Sequence, residues 1–265
     1  AAAGDVHHQG AHSNMSGLHS FELAATDGKL IRGDRSIGKD RQILFITGFL
    51  SKRWGNKSKA LAEWCREKDW GFCCYDVRGF GDSEGPFTDY TLSHWIEDAR
   101  TVVSMLKSGP RLTIVGNSLG GWIAWLMAQE FQEIERLILI APAFNMMGVR
   151  AKSIDPERRQ AWHRAGWMPW DDEPLHKDWP LSWKWVEESE AYWKSSFDGL
   201  RPVSTTILHG LQDTVILPSG SSEFAEELLA RDHAYPIVLD LIPGDHRLSS
   251  AEHVERFHRL VLDTL

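Results

Sequence analysis

Arg111-Leu-Thr-Ile-Val-Gly116-Asn117-Ser118-Leu119-Gly120-Gly121, running on into Trp122-Ile-Ala-Trp-Leu-Met-Ala-Gln-Glu-Phe131, reads as a short apolar strand, a glycine-dense turn and a helix apolar nearly all round. A strand without alternation is buried on both faces, and a helix without a polar face is buried as well. The turn between them has the form G-x-S-x-G. It is so sharp that side chains two positions either way from Ser118 would collide, which accounts for Gly116 and Gly120 physically. Ser118 is therefore expected at the start of a helix, above the carboxyl end of a buried strand.

Outward from this turn, unalternating apolar runs recur at 43–47, 72–75, 112–115, 137–140, 206–209 and 237–241, the habit of parallel strands covered on both sides. Helical spacing lies between them, most clearly at Leu92, Trp95, Ile96, Ala99, Val103 and Leu106, and a final helix uses Val254, Phe257, Val261 and Leu265. Near the start, residues 20–32 alternate apolar and polar around Asp27-Gly28, a strong hairpin-turn dipeptide. These observations predict an α/β fold: a mostly parallel eight-stranded sheet, entered through an antiparallel N-terminal hairpin, with helices on both faces.

The chain has 265 residues, 42% of them hydrophobic and 25% charged, the composition of a soluble globular protein. Its 29 basic against 37 acidic residues give a net charge of -8. There is no basic stripe for a phosphate backbone, so nucleic acid is not expected as a partner. No window approaches the roughly 18 apolar residues of a membrane span. Cys65, Cys73 and Cys74 fit neither a disulfide framework nor zinc spacing, and a cytoplasmic location with no metal and no cofactor is the expectation. Residues 1–16, small, polar and containing His7, His8 and His12, read as a disordered leader or an expression remnant.

Residues 17–141 and 201–265 then form the core, and residues 142–200 interrupt it. In that interval no strand is predicted, proline recurs, and Trp162, Trp167, Trp170, Trp179, Trp183, Trp185 and Trp193 make up more than half of the chain's 13 tryptophans. A connection this long is expected to be a helical cap. Trp162, Trp167, Trp170 and Trp183 are its expected substrate-binding residues, roofing a pocket for an apolar or aromatic group.

A serine hydroxyl needs a base, and the base an orienting group. Leu208-His209-Gly-Leu-Gln-Asp213 places Asp213 in the exit loop of one predicted strand, and Ile242-Pro-Gly-Asp-His246 places His246 in that of the last. The order Ser118, Asp213, His246 distinguishes this arrangement from the two common protease orders. His209 reads as a satisfied structural histidine, and His94, His233, His253 and His258 as helix-associated residues. Asp245 is too close in sequence to His246 to orient it, and Asp240 belongs to a strand. Backbone N–H groups of Leu119 and Phe49 are the expected oxyanion donors.

With these residues in view, the chain resembles the serine α/β-hydrolase superfamily over nearly its whole length after Gly17. The elbow, Asp76-Val-Arg-Gly-Phe-Gly-Asp-Ser83 and His209-Gly-Leu-Gln-Asp213 carry that likeness. Phe45-Ile-Thr-Gly-Phe-Leu-Ser51, Asn117-Ser-Leu-Gly-Gly-Trp122 and Asp245-His246-Arg247 resemble the small esterases and acyl-protein thioesterases of the α/β-hydrolase domain-containing protein 10 type. The resemblance implies hydrolysis of a small-molecule ester or thioester through a serine acyl-enzyme. Ser118 argues against a dehalogenase or an epoxide hydrolase, which need Asp at the elbow. A C–C hydrolase, a perhydrolase, a peptidase and a ligand receptor on a hydrolase scaffold stay open, as does the oligomeric state.

Overall fold

The structure, a computed structural model, describes residues 17–168 and 179–263. Strands β1 (His19–Ala24) and β2 (Leu30–Arg35) form the antiparallel hairpin, with Gly28 at φ 80 in its turn. β2 pairs antiparallel with β4 (Gly71–Tyr75). From there β3 (Arg41–Ile46), β5 (Arg111–Asn117), β6 (Ile134–Ile140), β9 (Ser204–Gly210) and β10 (Ile237–Ile242) continue in parallel. The eight-stranded order is β1-β2-β4-β3-β5-β6-β9-β10. The predicted sheet is present, hairpin included.

Strand side chains alternate between two cores, as the period of two requires. Leu44, Ile46, Ile114, Leu137, Leu139 and Ile207 face α2 (Leu92–Leu106) and α3 (Leu119–Glu130), while Ile43, Phe45, Val115, Ile138, Ile140 and Leu208 face α1 (Asn56–Glu67) and α8 (Ala251–Asp263). Trp64 of α1 meets Phe257 of α8 with ring centroids 5.2 Å apart, closing the second layer. One expectation fails at the edge. β10 is not buried on both faces: Val238 is 59% and Leu241 38% exposed, because β10 has a neighbour on one side only.

Between β6 and β9 the described elements are α4 (Met146–Ser153), α5 (Pro156–Ala165), a two-residue ladder of β7 (Trp167–Met168) with β8 (Leu181–Ser182), and α6 (Trp183–Ser195); α7 (Pro218–Arg231) connects β9 to β10. The ladder corrects the expectation that this interval holds no strand; two residues are too short to show a hydrophobic period. Polar pins hold the region down. The Trp122 and Trp125 indole N–H groups of α3 donate to the Ser196 hydroxyl and carbonyl, at 3.3 and 3.2 Å. Among the described residues no helix is long and apolar enough to cross a membrane.

Candidate active site

Ser118 leaves β5 and enters α3 with φ 54 and ψ -120, a conformation costing a non-glycine residue on the order of 1–3 kcal/mol. Local bonds hold it there. Its N–H donates to the Ile140 carbonyl at 2.9 Å, and its own carbonyl accepts from Gly121 and Ala143 at 2.9 and 3.0 Å. A Cβ on Gly116 would lie 2.4 Å from the Gly120 carbonyl oxygen, and one on Gly120 would lie 2.1 Å from that of Ile46. Both glycines are thus required by close approach, the second because the elbow is pressed onto the end of β3.

The exit loops of β9 and β10 are laced together. Leu211 N–H donates to Ile242 at 2.7 Å, Gln212 N–H to Gly244 at 2.9 Å, and Gly244 N–H to the Gln212 side chain at 2.6 Å. This lacing brings Asp213 to His246: Nδ1 of His246 lies 2.6 Å from Oδ2 of Asp213. A carboxylate only accepts, so Nδ1 carries a hydrogen, and in the neutral ring the lone pair is on Nε2. His246 and Ser118 line the same cavity, of about 720 Å³. The lacing depends on Gly210, where a Cβ would come 2.4 Å from the Gly244 carbonyl oxygen. Gly210→Ala is therefore expected to push the two loops apart and lower kcat by roughly 100-fold, the order of loss from a misplacement near 1 Å. Ester turnover together with a circular dichroism melt checks it, and full activity at wild-type Tm contradicts it.

Asp213 is buried and accepts from four donors. Oδ1 takes the Val215 and Ile216 amides, each at 2.9 Å; Oδ2 takes His246 and, at 3.1 Å, Nε2 of His209. Burial alone would raise its pKa, but bonds from His209, His246 and the Ile216 amide more than offset this and hold the carboxyl well below the usual carboxylate range. The same Nε2 of His209 lies 2.9 Å from the Ile216 carbonyl, which only accepts, so it is protonated and Nδ1 takes the Ser221 hydroxyl at 2.7 Å. His209 is a structural histidine as read from sequence. Its direct contact with Asp213 was invisible there, because adjacency four residues apart on a strand exit depends on how the loop folds.

The loop after β3 lies against the nucleophile: a Cβ on Gly48 would approach Ser118 Cβ to 3.2 Å. Phe49 lines the cavity, and its ring packs on Trp95 and on Trp185 of α6, with centroids 5.7 and 5.1 Å apart. Leu119 is the first residue of α3, a position whose N–H has no partner within the helix. The two expected oxyanion donors thus belong to the loop after β3 and to the first residue of α3.

Three of the four tryptophans expected at the substrate do not line this cavity. Trp162 is buried, donates to the Leu181 carbonyl at 2.9 Å and packs edge-on against the half-buried Trp183, so both are engaged within the region between β6 and β9. Trp167 lines a separate small aromatic cleft with Phe87 and Trp185. Trp170 lies outside the described residues. What this region does offer the cavity is Met146 and Arg150 of α4, joined from elsewhere by Lys52, Lys57, Val215, Ile216 and Arg247. The one sequence signal for this set was Lys57 in the first turn of a helix, against the helix dipole. Among the described residues no group of His, Cys, Asp or Glu is arranged to hold a metal ion.

Comparison with known proteins places the fold. Residues 39–170 match the family model Hydrolase_4, described as serine aminopeptidase, S33. Palmitoyl-protein thioesterase ABHD10, mitochondrial, from Homo sapiens is 28% identical over 235 residues, covering 82% of this chain and 71% of that protein. The Mus musculus protein of the same name is 25% identical over 254 residues, covering 89% and 77%. Among solved structures, a putative hydrolase from Agrobacterium vitis S4 superposes with TM-score 0.82 at 23% identity, over 92% of this chain and 97% of that one. Est1E from Butyrivibrio proteoclasticus, bound to ferulic acid, superposes with TM-score 0.74 at 22% identity, over 92% and 97%.

Proposed function

Because the chain belongs to the α/β-hydrolase superfamily, we propose that it is a serine hydrolase acting on carboxylic esters or thioesters with an apolar or aromatic acyl group, through a covalent acyl-enzyme. The observation that carries the reading is the 2.6 Å bond fixing His246 on Asp213 at the cavity that Ser118 lines from its strained turn. Esterases and thioesterases among the relatives support the choice of ester and thioester over other bonds.

Ser118 Oγ attacks the acyl carbonyl while His246 Nε2 takes its proton. The Phe49 and Leu119 amides hold the oxyanion, and collapse of the tetrahedral intermediate expels the alcohol or thiol, which leaves with the proton from His246. Water, deprotonated by the same nitrogen, then attacks the acyl-enzyme, releasing the carboxylic acid and restoring Ser118. Asp213 holds the imidazole in the tautomer that presents Nε2 and stabilises the imidazolium. Met146, Val215 and Ile216 supply the apolar wall for the acyl group.

The test is a matched series of p-nitrophenyl esters and acyl-thioesters from acetyl to palmitoyl, with benzoyl and an aminoacyl p-nitroanilide added, run beside fluorophosphonate labelling. Labelling of Ser118 at one probe per chain, with turnover favouring medium or aryl acyl groups over palmitoyl, is the expected outcome. No turnover and no label overturn the reading; cleavage of the anilide alone makes the protein a peptidase.

A further inference from the structure

The Ser118 cavity has a marked charge bias. Besides His246 its lining carries Lys52, Lys57, Arg150 and Arg247 and, among the described residues, neither Asp nor Glu, in a chain whose net charge is -8. Chance distribution on an acidic protein does not favour such a wall. Helix physics disfavours it as well. The first turn of α1 has no acidic residue and carries Lys57, although the positive end of a helix dipole favours acids there. Departures of this kind from local stability rules concentrate where a site is built.

One of these cations, Lys57, is also held in place. The Lys57 ammonium donates to the Arg247 carbonyl, tying the start of α1 to the loop that carries His246. Burial lowers the Lys57 pKa, against the pull of Asp245, so its charge is partly desolvated. Asp245 itself is engaged in its own turn, accepting from the Arg247 and Leu248 amides, each at 3.1 Å. The bias has a side, too. The departing group collects its proton from His246, so it leaves on the His246 side of Ser118; Arg247 is the next residue, and Lys57 is bonded to it.

Resting on the ester or thioester reading above, we propose that this wall is an anion subsite for the leaving group: the natural substrate carries a carboxylate or a phosphate on its alcohol or thiol portion, met by Lys57 and Arg247, with Lys52 and Arg150 adding to the field. A cavity lined by one sign of charge concentrates such a substrate, and the effect weakens as salt screens it.

The experiment compares butyryl thioesters of three thiols, N-acetylcysteamine (uncharged), 3-mercaptopropionate (carboxylate) and coenzyme A (phosphate), in wild type, Lys57→Gln/Arg247→Gln and Lys59→Gln. The sulfur and the acyl group are constant, so the ratio of kcat/KM for anionic over neutral thioester isolates the leaving group. Wild type is expected to show a ratio of roughly tenfold or more for at least one anionic thiol, falling as salt is added; the preferred arm identifies carboxylate or phosphate. The double variant should lose most of that ratio, and Lys59→Gln, outside the cavity, should keep it. Turnover of the neutral thioester without any anionic preference overturns the subsite, as does a preference that survives the double substitution. Absence of all turnover, with Ser118 unlabelled, overturns the hydrolase reading instead.

Discussion

Ser118→Ala and His246→Ala are each expected to lower kcat by roughly 10⁴-fold or more, and the double variant by little beyond either single one. In the proposed reaction nucleophile and base act as a unit: without Nε2 the hydroxyl stays protonated, and without the hydroxyl there is nothing to deprotonate. Residual rate over water would come from the Phe49 and Leu119 amides and from binding alone. Asp213→Asn is expected to be nearly as severe, for a reason visible in its contacts. Both oxygens accept, Oδ1 from the Val215 and Ile216 amides, Oδ2 from His209 and His246. An amide NH₂ meets donors whichever way it turns. Facing the histidines, it drives His246 into the tautomer that hides the lone pair from Ser118; facing the backbone, it breaks the turn that places the side chain. Because the carboxyl of Asp213 is held below the usual range, it stays ionised through the acid limb of kcat/KM, which is expected to follow a single proton. Rate measurements on the four variants and a pH profile check this, and additive losses in the double variant would contradict the shared role of Ser118 and His246.

What was legible in the sequence follows from periodicity and from rigid local geometry. The unalternating runs that became β3 to β6 and β9 are buried on both faces, and the elbow's glycines are dictated by a turn whose collisions involve residues two positions apart. The pairing of Asp213 with His246 was legible as an order along the chain, since both loops leave neighbouring parallel strands at their carboxyl ends. What faces the cavity was not. Composition marked the region between β6 and β9 as aromatic, yet an indole is equally suited to a pocket wall and to an interior. Trp162 and Trp183 satisfy each other there, whereas Met146 and Arg150 reach the cavity from one short helix. The direction of a side chain in a helix without a strong apolar face is set by tertiary packing, and α4 has no such face in its sequence. β10 misled in the opposite sense, since an apolar run at the sheet's edge looks the same as one at its centre.

Arg53→Met is expected to destabilise the fold by about 3–5 kcal/mol, a fall in Tm of roughly 10 °C, and to reduce activity with it. Arg53 Nε lies 2.7 Å from Asp34 Oδ2; its Nη1 pairs with Asp76 and, at 2.7 Å, with Asp82; and its own backbone N–H donates to Asp76 Oδ1 at 2.6 Å. Asp76 is 1% exposed, and Asp34 also accepts from Ser20 and from the Trp54 indole, each at 2.7 Å. Methionine fills the volume but removes the cation, leaving two largely desolvated carboxylates facing each other's field, which is the costly way to break a buried ion pair. Arg53→Lys is expected to recover only part of the loss, because an ammonium lacks the fork that reaches three carboxylates. The sign with pH is a further check. In the wild type, despite burial, which raises it, Asp34 is held below its ordinary pKa by Arg53, Ser20 and Trp54, and contributes stability that is lost as pH falls through the folded value. In the variant Asp34 loses the cation that favoured its charged form, so acid relieves it. The gap in stability between the two proteins should therefore narrow as pH is lowered from 7, and a constant gap would show that volume, not charge, was lost. The network also reaches the chemistry, since Arg53 closes the loop that begins at Gly48 and Phe49. It ties that loop to β2 through Asp34 and to the exit of β4 through Asp76. Loosening it should cost kcat beyond the loss of folded protein, measured at a temperature where both chains are folded, because the loop that carries Gly48 and Phe49 is then no longer held beside Ser118.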